Sequence, residues 1–273
     1  LNDVVKETLD AFNKDSSLVN IKCENYSTAL IDFIITCSIR WQRHYKKILE
    51  YDPSLKPPDQ LDIEKTYDEN DEDKKLEYPY HSMIFNLAYQ KDQLKLIQKL
   101  IDKIFRSVYD DYYIGSQQLF KKRFEQQILK SKNLDKTIPS HKELKPFINL
   151  TFKIAEKNID NEYIYLLYSG KDGDILNYDS RFSSTKKAAI IIGGHSLSRG
   201  LTVENLSTSF FIRSQVQSLG DTNLQMCRWF GHKRKDIDLI SVYLMDYSSK
   251  LYSDLSKADN ALRDEFKESI HQG

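Results

Sequence analysis

The run Ala188-Ala189-Ile190-Ile191-Ile192, closed by Gly193-Gly194, constrains the fold more than any other feature. It carries no polar side chain, so neither face of a strand built from it can be solvated. Parallel strands covered on both sides read this way. Four further segments read as strands: Met83 to Tyr89, Tyr163 to Tyr168, Ser207 to Ile212 and Leu239 to Leu244. The second of these is closed by the turn Ser169-Gly170-Lys171-Asp172-Gly173, and a helical stretch around Asn223 to Phe230 separates the last two. Strand, turn, helix and strand in succession imply right-handed crossovers. The expected class is therefore α/β, a mostly parallel sheet flanked by helices.

The remainder reads as helical. Val4, Val5, Leu9 and Phe12 form a short stripe, and Ala29, Leu30, Phe33, Ile34 and Cys37 recur at helical spacing, as in a helix that packs and carries no chemistry. Residues 51–77 contain Pro53, Pro57 and Pro58 and then, from Asp62 to Glu77, eight acids against three lysines, the composition of a solvated linker. Asp92 opens a helix bearing Leu94, Ile97, Leu100, Ile101 and Ile104. From Ser107 to Asn158 the pattern stays helical, and Lys121 to Lys145 holds eight basic residues against three acids. Phe120, Phe124, Ile128 and Leu134 would give this stretch its apolar face, and its cations are the best local candidates for contact with a nucleic-acid backbone.

Forty basic residues balance forty acidic ones, so no global field draws the chain to nucleic acid, and any such contact must be local. Cys23, Cys37 and Cys227 are too few and too dispersed for a disulfide framework or a zinc site, which suits a reducing cytoplasm. No apolar run approaches the roughly 18 residues of a membrane span. The chain opens at Leu1 rather than Met and is expected to be a piece of a longer protein.

Two segments carry the chemistry. In the first, the buried strand runs into Gly193-Gly194-His195-Ser196-Leu197-Ser198-Arg199-Gly200-Leu201-Thr202-Val203. Ligands of open parallel sheets bind beyond the carboxyl ends of the strands, where this loop would sit. There Ser196 and Ser198 offer hydroxyls, and Gly200 permits close backbone approach. The second is Gln225-Met226-Cys227-Arg228-Trp229-Phe230-Gly231-His232-Lys233-Arg234. In a helix Gln225 and Arg228 share a face, and Arg228 could reach a phosphate across an interface as an arginine finger. Trp229 and Phe230 are better read as core, and His195 has no partner to make it catalytic.

Ser198 to Leu206 resembles the fifth motif of superfamily-two helicases, and Gln225 to Arg234 their sixth. The pairing of Leu-Ser-Arg-Gly-Leu-Thr with Gln-Met-Cys-Arg-Trp-Phe-Gly is closer still to the Z-one domain family, whose members carry an endonuclease label. Those are bacterial proteins, often of restriction or defence loci, in which this domain follows a helicase-like ATPase lobe. The specific match covers residues 186–247. The resemblance implies a RecA-like lobe over 79–104 and 160–250, after a helical region and acidic linker at 1–78, with a helical insertion at 105–159 and a final helix at 251–273. It implies that Arg228 and Gln225 face the nucleotide and that Gly200, Arg199 and Arg234 contribute to its binding. Ser198, Arg199 and Ser196 would couple it to DNA. ATP with magnesium would be held mainly by the preceding lobe, the first expected partner, with DNA the second and no membrane involved. Cys227 stands where a glycine is usual, and His232-Lys233 where the family has Tyr-Arg.

The chain contains no Gly-x-x-x-x-Gly-Lys-Ser/Thr loop, so alone it is expected to hydrolyse ATP poorly or not at all. Two other readings remain open. A non-catalytic module could keep the RecA-like shape and bind DNA or protein. A nuclease could use Pro58-Asp59 with Glu72-Asp73-Lys74, although those residues fall in a proline-rich acidic stretch with no strand to fix a metal.

Overall fold

The structure, a computed structural model, describes residues 24–68, 70–86, 91–156, 163–168, 173–179, 185–194, 203–211 and 234–272. Five strands form one parallel sheet: β1 (His81–Asn86), β2 (Ile164–Leu167), β3 (Ala188–Gly193), β4 (Leu206–Phe211) and β5 (Ser241–Leu244), in the order β2-β3-β1-β4-β5. The described helices are α1 (Glu24–Tyr51), α2 (Lys91–Tyr113), α3 (Gln118–Lys132), α4 (His141–Glu156) and α5 (Asp246–Gln272). The α/β class read from the sequence is the one observed.

Side-chain alternation along β1 divides the interior. Met83 and Phe85 point with Ile190, Ile192 and Phe210 into the larger core, which they share with residues of α1, α2 and α4. Ile84, Ala189, Ile191, Leu206 and Phe211 occupy the opposite face, where Leu176 and Val203 pack against them. Both faces of β3 are therefore apolar and covered, which is why its sequence lacks any polar position. Complete burial of a side chain such as Phe85 contributes about 1.5–3 kcal/mol.

Helix α1 lies deeper than its one-sided stripe implies. Nearly every residue from Ala29 to Gln42 is buried, including the polar Asp32, Thr36, Ser38, Arg40 and Gln42. Such burial is tolerable only because these groups find partners on other elements. Asp32 accepts from Arg123 of α3, with Nε at 2.7 Å, and from the Tyr243 hydroxyl of β5. Trp41, fully buried, donates from its indole nitrogen to the Pro79 carbonyl at 2.9 Å.

Helix α3 turns inward only part of the face expected, with Phe120 and Phe124 buried as read. Ile128 and Leu134 are exposed, and the buried positions are Phe120, Phe124, Gln127 and Ser131. The polar pair is drawn in by Asp238, which lies within a 3-10 helix at Arg234–Leu239 leading to β5. Gln127 donates to the Asp238 carbonyl at 2.7 Å, and Ser131 donates to its carboxylate at 2.8 Å. Arg43 of α1 completes the cluster, donating to the same carboxylate at 2.6 Å. Helix α4 begins with a reciprocal cap, in which the Ser140 backbone nitrogen donates to Glu143 at 2.8 Å.

The acidic stretch is ordered against the sheet rather than running free of it. Asp71 caps a 3-10 turn at Glu72–Leu76, while Ile63 and Tyr78 are buried. Glu64 accepts from the backbone of Lys187, and Glu77 accepts from its ammonium at 2.6 Å. That ammonium also lies 3.9 Å from the centre of the Tyr80 ring.

Candidate functional site at the carboxyl edge of the sheet

The chain leaves β1 toward β2 on one side of the sheet and leaves β4 toward β5 on the other. Adjacent strands whose exits diverge open a crevice at their carboxyl ends, the usual ligand position in such folds. In this structure the register brings Asn86 of β1 between Gly193 of β3 and Phe211 of β4.

Asn86 is fully buried, and neither atom of its carboxamide has a hydrogen-bond partner among the described residues. The group can donate twice and accept twice, and leaving it unsatisfied costs about 1–3 kcal/mol. A hydrophobic residue would avoid that penalty. The last position of the central strand therefore presents recognition chemistry at the edge where a ligand is expected. Sequence reading passed over Asn86 as part of a strand. The available signal was a carboxamide directly after Met83-Ile84-Phe85.

The residues singled out for chemistry attach to this edge through the chain. Ser196, Ser198, Arg199 and Gly200 follow β3 after Gly194, and Gln225 and Arg228 lie between β4 and β5. All six fall outside the described residues, as do His195, Cys227, Trp229, Phe230 and the helix expected over 223–230. Arg234 opens the 3-10 helix that enters β5, and so belongs to the amino edge of the sheet by its place in the chain. That helix also takes the start of the strand expected at Leu239, and β5 begins at Ser241.

A Ser–His pair occurs at the amino edge, and its geometry shows what it can do. The Ser207 hydroxyl lies 2.8 Å from His81 Nε2, with the Thr36 hydroxyl at 3.2 Å from the same nitrogen. Arg40 Nη1 lies 2.8 Å from His81 Nδ1. A guanidinium can only donate, so Nδ1 accepts and Nε2 carries the proton. Nε2 is therefore a donor toward Ser207 and cannot act as its general base. With both residues fully buried, the pair is a strut joining α1, β1 and β4. It also explains why β1 starts at His81, before the apolar run.

The basic stretch is divided among several tasks. Arg123 neutralises Asp32, and Lys130 donates to the Ile240 carbonyl, so both act inside the fold. Lys121, Lys122, Lys132, Lys142 and Lys145 are exposed. The nuclease pattern fares poorly, because Asp59, Glu72 and Asp73 are exposed on two short 3-10 turns. Among the described residues no group of three or more His, Cys, Asp or Glu side chains is placed to hold a metal. None of the described helices is long and apolar enough to cross a membrane.

Fold and register define an α/β protein built on one parallel five-stranded sheet flanked by helices. The family model of the Z1 domain matches residues 61–273, and the chain belongs to the Z1 domain family. That is the family to which the segments at 198–206 and 225–234 pointed. Neither the curated proteins nor the solved structures give a match.

Proposed function

We propose that this chain is the second motor lobe of a helicase-like, DNA-dependent ATPase of the bacterial restriction or defence type. In this reading a preceding lobe holds most of the ATP and its magnesium. Arg228, with Gln225 beside it, meets the transferring phosphate as the lobes close, while Ser196, Ser198 and Arg199 couple that closure to DNA. Gly200 contributes to nucleotide contact, whereas Arg234 belongs by its place in the chain to the opposite edge. The observation that carries the reading is the buried, unpartnered carboxamide of Asn86 at the crevice between β1 and β4. The residues present fit a minor share of a nucleotide site. They offer amide donors and acceptors but no phosphate-cradling lysine loop. Magnesium-bound ATP supplies the phosphoryl group and its leaving group. This chain's part is to stabilise developing charge and to exclude water on closure.

DNA-stimulated ATP hydrolysis by the chain joined to its ATPase lobe, with and without Arg228→Ala, tests the proposal. Loss of an arginine finger lowers turnover by about 10³–10⁵-fold. Turnover that survives the substitution would leave a second reading, a binding module that keeps the motor's shape. That alternative is favoured by Cys227 and His232, which depart from the helicase pattern.

A further inference from the structure

At the amino ends of β1 and β4, α1 faces the turn after α3 and the 3-10 helix before β5 across a cleft of about 520 Å³. Its lining carries six side-chain cations against two carboxylates. Arg43 is committed to Asp238, and Lys46 lies 3.5 Å from Glu143. Lys47, Lys136 and Lys235 are exposed and make no ion pair among the described residues. Arg40, also part of the lining, is only 5% exposed. Its Nη1 is used by His81 and by the Asn205 carbonyl, both at 2.8 Å, but Nε and Nη2 have no hydrogen-bond partner. The nearest carboxylate, that of Asp236, stands 3.4 Å from Nε. His44 Nε2, also in the lining, is buried without a partner. Asn205 and Asp135, which line the cleft too, hold left-handed backbone at φ 48° and 53°.

A buried guanidinium whose Nε–Nη2 edge makes no hydrogen bond among the described residues, and only a 3.4 Å ion pair with Asp236, is a fork for two oxygens of one anion. Three unneutralised ammonium groups around it exceed what a single carboxylate would need. We propose that this cleft is a receptor for a terminal phosphate group, the dianion of a phosphate monoester. A mid-strand phosphodiester carries one charge and is flanked by sugar on both sides, so it suits a surface stripe better than a buried fork. The volume lies in the small-ligand range of roughly 300–1,000 Å³. Such a phosphate could belong to a mononucleotide or to the 5′ end of a nucleic-acid strand. The cleft lies at the amino edge of the sheet, so the inference does not rest on the proposed nucleotide contacts at the carboxyl edge.

The test measures binding of inorganic phosphate and AMP by calorimetry, and of a labelled single strand by anisotropy with a 5′-phosphate or a 5′-hydroxyl. The chain should bind at least one phosphate monoester, with inorganic phosphate competing. Combined Lys47→Gln, Lys136→Gln and Lys235→Gln should weaken that binding at least tenfold while the melting temperature holds. Arg40→Lys should weaken it too, and it retains a cation should Arg40→Ala fail to fold. Lys95→Gln with Lys99→Gln, exposed on α2 and outside the cleft, should change nothing. Tighter binding of the phosphorylated strand than of AMP identifies a strand end as the source, and the reverse identifies a mononucleotide. The proposal is overturned if phosphate, AMP and the phosphorylated strand all fail to bind at millimolar concentration. It is equally overturned if the lysines outside the cleft matter as much as those within it.

Discussion

The two edges of the sheet differ in how far their buried polar side chains are satisfied, with Arg40 Nε and Nη2 the exceptions at the amino edge. At the amino edge, Thr36, Arg40, His81 and Ser207 come from α1, β1 and β4 and bind one another in a buried chain. Arg43, Ser131 and Asp238 do the same beside them. At the carboxyl edge the central strand ends in Asn86, its carboxamide buried and bonded to nothing among the described residues. The first arrangement holds elements in register. The second forgoes stability at the position where doubly wound sheets receive ligands. Polar burial alone therefore does not mark a site, whereas polar burial without a partner does.

This contrast can be broken most forcefully at Asp238. Its side chain is fully buried and paired with Arg43, so Asp238→Ala should cost about 3 kcal/mol in urea unfolding. A loss below 1 kcal/mol would mean that the amino-edge network is not structural. Ser207→Ala should cost about 1 kcal/mol, because His81 Nε2–H then keeps only Thr36 as acceptor. Its effect should be the same whether or not nucleotide is present.

A smaller effect comes from pH. Burial, with help from the Lys47 charge, holds the His44 imidazole below its ordinary value. The unfolded chain therefore takes up the proton first, and stability falls as pH drops below about 6.5. Burial shifts His141 in the same direction, whereas Glu64, raised by burial, opposes the trend as pH falls from its raised value to the usual carboxylate value. His44→Gln should flatten the urea midpoint between pH 7.5 and 5.5 relative to wild type, and an unchanged slope would contradict this assignment. The smallest effect belongs to the cleft lysines Lys47, Lys136 and Lys235. Their replacement should leave the midpoint in place, since exposed side chains away from packed features seldom alter stability.

What was legible follows from which forces leave local marks. Hydropathy located all five strands, because Ala188 to Ile192 and Leu206 to Phe211 are buried by the sheet's own geometry. It missed His81 at the head of β1, since a polar residue buried by distant partners looks like any other polar residue. For the same reason α1 read as one-sided, although Asp32 depends on Arg123, 91 positions away. Gln127 and Ser131 were hidden likewise by Asp238, while Ile128 looked apolar enough to be core and is exposed. The amino-edge cleft draws on residues 40–47, 135–137 and 235–236, a juxtaposition that no single window contains. The motif residues from Ser196 to Arg228 were readable as a family resemblance, and the family match agrees with it.

The most direct test joins stability and activity in one variant. Asn86→Leu removes an unsatisfied carboxamide while keeping the same branched arrangement of heavy atoms. The chain should gain about 1–2 kcal/mol in urea unfolding, while DNA-stimulated ATP hydrolysis by the chain joined to its ATPase lobe should fall at least tenfold. A variant that is both more stable and fully active, or one that loses stability, would show that the carboxyl edge is not held open for a ligand.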